Sequence, residues 1–329
     1  MAMPSRAATA PELSIVVPAP SDVAALEETL VSVLENRPAD AEVVVSLGCD
    51  YADPWNIRDE VRFVQATPGA SLTTCANIGI AAAAGRIVHV LAAGWRATEG
   101  WTDGPLAHFA RGGVAAVVPL VMAADDRVVA AGIRTTRGGR RVAIGGTGSD
   151  AAGGPRPLAP VLEAGFWSAD LLAATAGFST ACGDWLADAD MVAALACHGG
   201  EVVLAPESRI IGGPRRSPPA AFTAGLHAER LFWRSLAANA VLPAVAAHTL
   251  ETLRHALVSA PFGTVPMLVG RLVGLLQFGS HAARARQLAA IAQAADDAAA
   301  ERTLRIDAAH ARLAKPHREV APAPLKRSA

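Results

Sequence analysis

Three aspartates stand close together in the stretch GDWLADAD: Asp184, Asp188 four residues on, and Asp190 two beyond that. A positioned carboxylate can take the proton of a hydroxyl nucleophile, and like charges nearby raise the proton affinity of one member of such a group. The ordinary alternative is electrostatic. Asp184 and Asp188 would then sit in the first turn of a helix and complement its dipole ahead of Met191, Val192 and Leu195. Other chemistries find no support. The nine histidines show neither H-x-x-x-H nor H-E-x-x-H spacing, so zinc is not indicated. No Walker loop, G-x-S-x-G elbow or basic–aromatic interleaving is present, and no nucleic-acid partner is expected.

The elements around these residues follow from periodicity. The β-branched run LSIVV (13–17) ends at Pro18 and reads as a buried strand. Ser21 or Asp22 can cap a helix carrying Leu26, Leu30 and Val33, closed by Pro38. Strands follow at 42–46, 61–65, 87–91 and 114–121, with an alanine-rich helix over 70–84 and Gly85 as its C-cap. Near-continuous apolar strands alternating with helices indicate a doubly wound, mostly parallel α/β sheet with helices on both faces. Its ligands belong beyond the C-terminal strand ends. Those ends are Pro18-Ala19-Pro20, the 47–55 loop, and Ala92 to Trp95.

Residues 126–157 predict a hairpin (127–133 against 140–144) and a Gly-rich loop. Helical spacing returns at 167–176 and 186–198, and 201–205 reads as a strand. From Phe222 to about Arg305 the pattern is helical, divided by Pro243, Pro261 and Pro266.

The 329 residues include 74 alanines, which raise the mean hydropathy to +0.30 without building a membrane span. The longest apolar stretch, 256–270, holds two prolines and is too short to cross a bilayer. No signal peptide is legible at the N-terminus, and the four cysteines form no C-x-x-C pair, so a reducing cytoplasm is the expected location. Charge is uneven. Residues 1–208 hold 13 Lys/Arg against 23 Asp/Glu, and residues 209–329 hold 16 against 7. An acidic first part and a basic last part point to two units.

In order and spacing, residues 13–121 resemble the nucleotide-binding half of inverting family 2 glycosyltransferases of the GT-A fold. The matching stretches are LSIVVPAP at the first strand and GASLTTCANIGIAAAAGRIVHVL at 69–91. The latter supplies Gly69, Asn77, Gly79, Ala83 or Ala84, and Gly85. GDWLADADMVAALACHGGEVVLAPES then resembles the acidic motif, helix, glycine and strand of the acceptor half. The resemblance implies a nucleotide-diphosphate sugar as donor and a glycan or lipid-linked hydroxyl as acceptor, in polysaccharide or glycan assembly. It also implies Asp188 as the base, with Asp184 and Asp190 beside it. Substrate contacts would come from Pro18, Ala19, Asp50, Asp53, Asn77, Gly79, Gly94, Trp95 and Trp185. Trp95, Trp101 and Trp185 offer faces that stack on sugar C–H groups, although buried aromatics are more often core. Asp50 and Asp53 would hold the base, or serve as turn residues before Pro54. Asn77 and Gly79 would lie beneath the diphosphate, and Arg215 and Arg216 could cover it.

The chain departs from the pattern where the family places an Asp-x-Asp for Mg²⁺ or Mn²⁺. Ala92, Ala93 and Gly94 stand there, so the usual ligands are absent and no metal site is assigned. The family's Glu-Asp pair is here Ala187-Asp188. These departures leave a second reading, a non-catalytic relative that binds a sugar nucleotide or a partner protein. A nicotinamide-binding domain is disfavoured, because Pro18-Ala19-Pro20 occupies the place of G-x-G-x-x-G.

The expected organisation is a GT-A-like domain over 1–211, divided near 11–122 and 123–211, then a linker over 212–221. A helical region over 222–305 and a disordered tail over 306–329 complete it. The basic amphipathic C-terminal helices are expected to pack on the domain, with peripheral contact at the inner face of the membrane as the alternative.

Overall fold

The run LSIVVPA forms strand β1 (Leu13–Ala19), buried at all seven positions. Helix α1 (Val23–Asn36) starts where expected, with the Asp22 carboxylate accepting from the Ala25 N–H at 3.0 Å. The computed structural model describes residues 10–145, 156–212, 219–236 and 240–313. Arg215 and Arg216, most of the Gly-rich loop, the middle of the expected linker and the chain after Leu313 lie outside them.

The chain continues through β2 (Glu42–Leu47), β3 (Arg62–Gln65), α2 (Leu72–Ala82), β4 (Ile87–Val90), β5 (Arg96–Ala97), α3 (Asp103–Ala110) and β6 (Val114–Met122). Then come β7 (Val128–Ala130), β8 (Ile133–Thr135), β9 (Arg141–Ala143), β10 (Phe166–Ser168), α4 (Ala169–Thr175), α5 (Gly183–His198) and β11 (Glu201–Ile211). Four helices close the described chain: α6 (Ala221–Ser235), α7 (Val241–Val258), α8 (Thr264–Leu275) and α9 (Phe278–Leu313). The sheet order is β3-β2-β1-β4-β10-β6-β11-β5, with β7 added to β6. Strands β3, β2, β1 and β4 run parallel, as do β6 and β11. The chain winds outward from β1 to β3 and returns on the other side of β1 as β4. That reversal is a topological switch point, and in open α/β sheets the ligand crevice belongs there, beyond the C-terminal ends of β1 and β4.

Several expectations are corrected. A three-residue antiparallel strand, β10, separates β4 from β6; its Phe166 and Trp167 are wholly buried. Three residues are too few to show a period, so the sequence reads as the start of the following helix. The expected hairpin divides in two. β7 pairs with β6, β8 pairs with β9, and Gly132 turns the chain between them in the left-handed region (φ +87°). β11 continues six residues past the expected end, through a register shift between Ala205 and Arg209. Helix α2 ends at Ala82, with Ala83 as its C-cap. Gly85 instead lies against β1, its N–H on Ser14 Oγ at 2.7 Å. Helix α9 runs to Leu313, eight residues into the expected tail.

The C-terminal helices pack on the sheet domain through α5. Asp190 of α5 is buried and meets Arg234 of α6 (Nε–Oδ1 2.8 Å) and Arg284 of α9 (Nη2–Oδ2 2.8 Å). Helices α6 and α8 touch backbone to backbone at glycines. A Cβ at Gly225 would lie 2.0 Å from the Met267 carbonyl oxygen, and one at Gly270 would lie 2.0 Å from that of Phe222. Pro243 and Pro266 fall in the first turns of α7 and α8, where a missing N–H costs nothing.

One core residue makes the fold acid-sensitive. His89 of β4 is buried, stacked on Phe166 with centroids 3.8 Å apart, and bonded through Nδ1 to the Gly165 carbonyl. Burial pushes its pKa from 6.5 down to about 3, against the opposing effect of that carbonyl. Below pH 6.5 the unfolded chain therefore takes up a proton that the native state refuses. Stability falls by about 1.4 kcal/mol per pH unit from this residue alone, until the native value is reached. His227 and His255, also lowered mainly by burial, act in the same direction. Urea unfolding at pH 7 and pH 5 is expected to show His89→Asn losing about 2 kcal/mol less than the wild type. Asparagine keeps a donor for Gly165 and cannot ionise. Equal losses would remove His89 as the source.

Candidate functional site

The crevice beyond β1 and β4 is bounded by the residues that end those strands. Pro18 and Ala19 are buried, and the Pro18 carbonyl accepts from the Ala93 N–H at 3.2 Å. Gly94 makes the turn after β4 with φ +87°, a conformation that an L side chain would strain. Its N–H bonds the Ala25 carbonyl and Thr29 Oγ1. The Ala92 N–H donates to the Glu163 carbonyl at 2.9 Å, so a short 3-10 turn, Leu162–Ala164, lies beside the end of β4.

Asp188 meets that turn. Its Oδ2 accepts from the Leu162 N–H at 3.3 Å, and both carboxylate oxygens are bonded by Arg141 of β9, at 2.9 Å from Nε and 2.7 Å from Nη2. Asp188 is fully buried. Burial works against the Arg141 charge, but Asp188 and Glu163 outweigh it and hold the guanidinium above its ordinary pKa. Asp188, expected from sequence as the proton acceptor, is thus held by a bidentate guanidinium against the turn that lies beside the end of β4.

Asp184 does something different. It accepts from the Leu72 and Thr73 N–H groups at 3.2 and 2.8 Å and so caps α2 from another helix. Burial raises its pKa, but the hydrogen bonds from Thr73, Ser71 and Leu72 win and hold it low. Asp190 lies on the face of α5 turned to the C-terminal helices, with its two arginines. These three aspartates therefore have three different sets of partners, and only Asp188 pairs with a residue of the cavity described below.

Other candidates are placed as follows. Asn77 exchanges two 2.7 Å hydrogen bonds with the Phe178 backbone, which joins α2 to the loop after α4. Gly79 faces the sheet; a Cβ there would lie 2.4 Å from Val16 Cγ1, so its small size serves packing. Asp53, at φ +50°, accepts from the Ile57 N–H and Arg58 as a turn residue, while Asp50 is exposed. Trp95 is half-buried against the core, and Trp101 is wholly buried.

Trp185 is 37% exposed and lines a cavity of about 290 Å³ between the β8–β9 hairpin and helices α5 to α8. Arg140 and Arg141 of the hairpin, Arg254 of α7 and Arg271 of α8 bring positive charge to it; Glu251 accepts from both Arg140 and Arg254. His227 and His255 complete the polar lining, both held below their usual pKa first by burial and then by neighbouring arginines. His227 Nδ1 is buried without a hydrogen-bond partner. Arginine forks and a neutral imidazole around an exposed indole suit a ligand that joins a sugar or other ring to an anionic group. Sequence reasoning missed Arg141, Glu163 and His227, because their only signal is proximity in the fold.

Neither a protein-family model nor a curated protein sequence matches the chain. Solved structures do match in shape. The mannosyltransferase PcManGT from Pyrobaculum calidifontis, in complex with GDP-Man and Mn²⁺, aligns over 87% of this chain and 87% of its own, with TM-score 0.52 and 16% identity. Residues 1–349 of S. aureus TarS align over 87% of this chain and 92% of theirs, with TM-score 0.57 and 11% identity. GalNAc-T7 with UDP, GalNAc and Mn²⁺ aligns over 74% of this chain and 54% of its own, with TM-score 0.51 and 14% identity. The fold is GT-A-like.

Within this GT-A-like fold the residues present do not fit a divalent cation. Ala92, Ala93 and Gly94 follow β4 with no side-chain oxygen among them, and hard cations take oxygen ligands. No group of three or more His, Cys, Asp or Glu gathers to hold a metal among the described residues.

Proposed function

We propose that this chain is an inverting glycosyltransferase, a divergent relative of family 2, that moves a sugar from a nucleotide-diphosphate donor to a hydroxyl acceptor in glycan assembly. One observation carries the reading. Asp188 is bonded both to the turn beside the end of β4 and to Arg141, which lines a basic cavity flanked by Trp185, so donor and acceptor would meet around it. The donor occupies the crevice over β1 and β4, and the acceptor enters from the cavity. Asp188 takes the hydroxyl proton as that oxygen attacks the anomeric carbon, and the nucleotide diphosphate leaves from the opposite side. Arg141 holds Asp188 in place through both oxygens; an anionic group entering the cavity competes for the same guanidinium. The GDP-Man named with one structural neighbour, and the UDP and GalNAc named with another, support this donor class. A lipid-linked or glycan acceptor and a cytoplasmic site of action complete the proposal.

Thermal shift against UDP-, GDP- and dTDP-sugars tests it, because a ligand that binds the native state alone raises its apparent stability. One donor is expected to raise the midpoint, by the same amount in Mg²⁺, Mn²⁺ or EDTA. Loss of the shift in EDTA would overturn the metal-free reading. No shift with any donor would overturn the transferase.

A second reading rests on the same geometry. With both Asp188 oxygens held by Arg141, the chain would bind a sugar nucleotide without turning it over. A donor that shifts the midpoint and yields neither transfer nor hydrolysis would favour it.

A further inference from the structure

Helices α7 and α8 and the loop between them carry a large apolar surface that nothing among the described residues covers. On α8 the residues Val265, Leu268, Val269, Leu272 and Leu276, at helical spacing, are exposed. The opposite stripe, Met267, Gly270, Arg271 and Gly274, is buried, with Gly270 and Gly274 against α6. One face of α8 is thus fixed by glycine contacts and the other left bare. On α7, Leu257 is 78% exposed, and at the loop tip Phe262 reaches 91%. Contiguous apolar surface of this kind marks an interaction site.

Charge and shape decide the occupant. From Thr252 to Ala295 there is no Asp or Glu, while Arg254, Arg271, Arg284 and Arg286 are present. Arg271 and Arg284 are buried on Glu229 and Asp190; Arg254 and Arg286 remain exposed. An anionic surface approaching this face meets no carboxylate from that stretch. The exposed side chains are mostly aliphatic, whereas protein interfaces favour aromatics mixed with hydrogen-bonding groups. The most exposed one, Phe262, stands in the loop that joins the two helices. Helix α8 has 12 residues, about 18 Å long, too short to span a bilayer but suited to lying in its interface. No helix among the described residues is long and apolar enough to cross a membrane.

We propose that the α7–α8 pair is a membrane-docking element, which seats Phe262 and the bare stripe of α8 in the acyl boundary of an anionic bilayer. The proposal goes beyond the transferase reading and does not depend on it.

Co-sedimentation of the full chain with phosphatidylcholine vesicles, with and without phosphatidylglycerol, tests this. Binding to the anionic vesicles is expected, weaker binding to the neutral ones, and partial loss in high salt, because the apolar contact is insensitive to screening. The double variant Phe262→Ser, Leu272→Ser is expected to bind at least tenfold more weakly, because each side chain gives up a buried apolar contact. Both positions are exposed, so an unchanged thermal midpoint will show that the fold is intact. Single variants serve if the double variant does not fold. Equal sedimentation of variant and wild type would overturn the proposal, as would absence of wild-type binding. So would a wild-type dimer in sedimentation velocity that the variant dissociates, since the face would then belong to a second copy.

Discussion

A chain cut after Gly212 is expected to lose its cooperative native fold. The cut removes both arginines from Asp190, which is buried in α5 with Arg234 and Arg284 each at 2.8 Å. Breaking a buried pair from one side typically costs about 3–5 kcal/mol, because the remaining charge has no water to return to. A whole domain is stable by only about 5–15 kcal/mol. The same cut takes away Leu231, Phe232, Leu288 and Ile291, all buried in the full chain. Residues 1–212 should therefore show weak near-ultraviolet dichroism and no sharp urea transition. In the full chain, Arg284→Met is expected to cost about 3 kcal/mol or more on the same scale. A fragment that unfolds sharply at the urea concentration of the full chain would show instead that the helices are peripheral.

Asp188→Asn is expected to lower sugar transfer by roughly a hundredfold or more, the usual scale for loss of a general base. Asparagine keeps the shape and one oxygen for Arg141 but gives up the buried ion pair, so the variant's own midpoint should fall while the donor-induced shift survives. Asp184→Asn should leave transfer far less affected. It weakens the cap on α2, at about 1 kcal/mol of stability. Near-normal turnover by the Asp188 variant would move the proton acceptor elsewhere in the cavity. His227, with its unpartnered Nδ1, would then be the next residue to substitute.

The strands and helices of the first half were legible because each is long enough to show its period and its punctuation. The Asp22 cap and the seven buried residues of β1 are examples. β10 was not legible, since three residues carry no period. Around the site, residue types were readable but partners were not. Asp188 and Asp190 differ by two positions and look alike in sequence. One meets Arg141, 47 residues earlier, and the other meets Arg234, 44 residues later. Likewise, only packing reveals the glycines of α6 and α8 as the surfaces that let two backbones touch. The bare stripe of α8 was legible as apolar residues at helical spacing, but not as exposed.

The double clamp on Asp190 also orders events in time. Arg284 follows Asp190 by 94 residues, and at ribosomal speeds of about 5–20 residues per second that gap lasts roughly 5–20 s. Throughout it, α5 exists without its second arginine, and its outer face lacks the helix that will cover it. The sheet can assemble on the nascent chain, but its locking step waits for α9. The protein is thus committed to a late, C-terminal closing step in its biogenesis, and ribosomes stalled within α7 or α8 should carry a chain that chaperones still recognise.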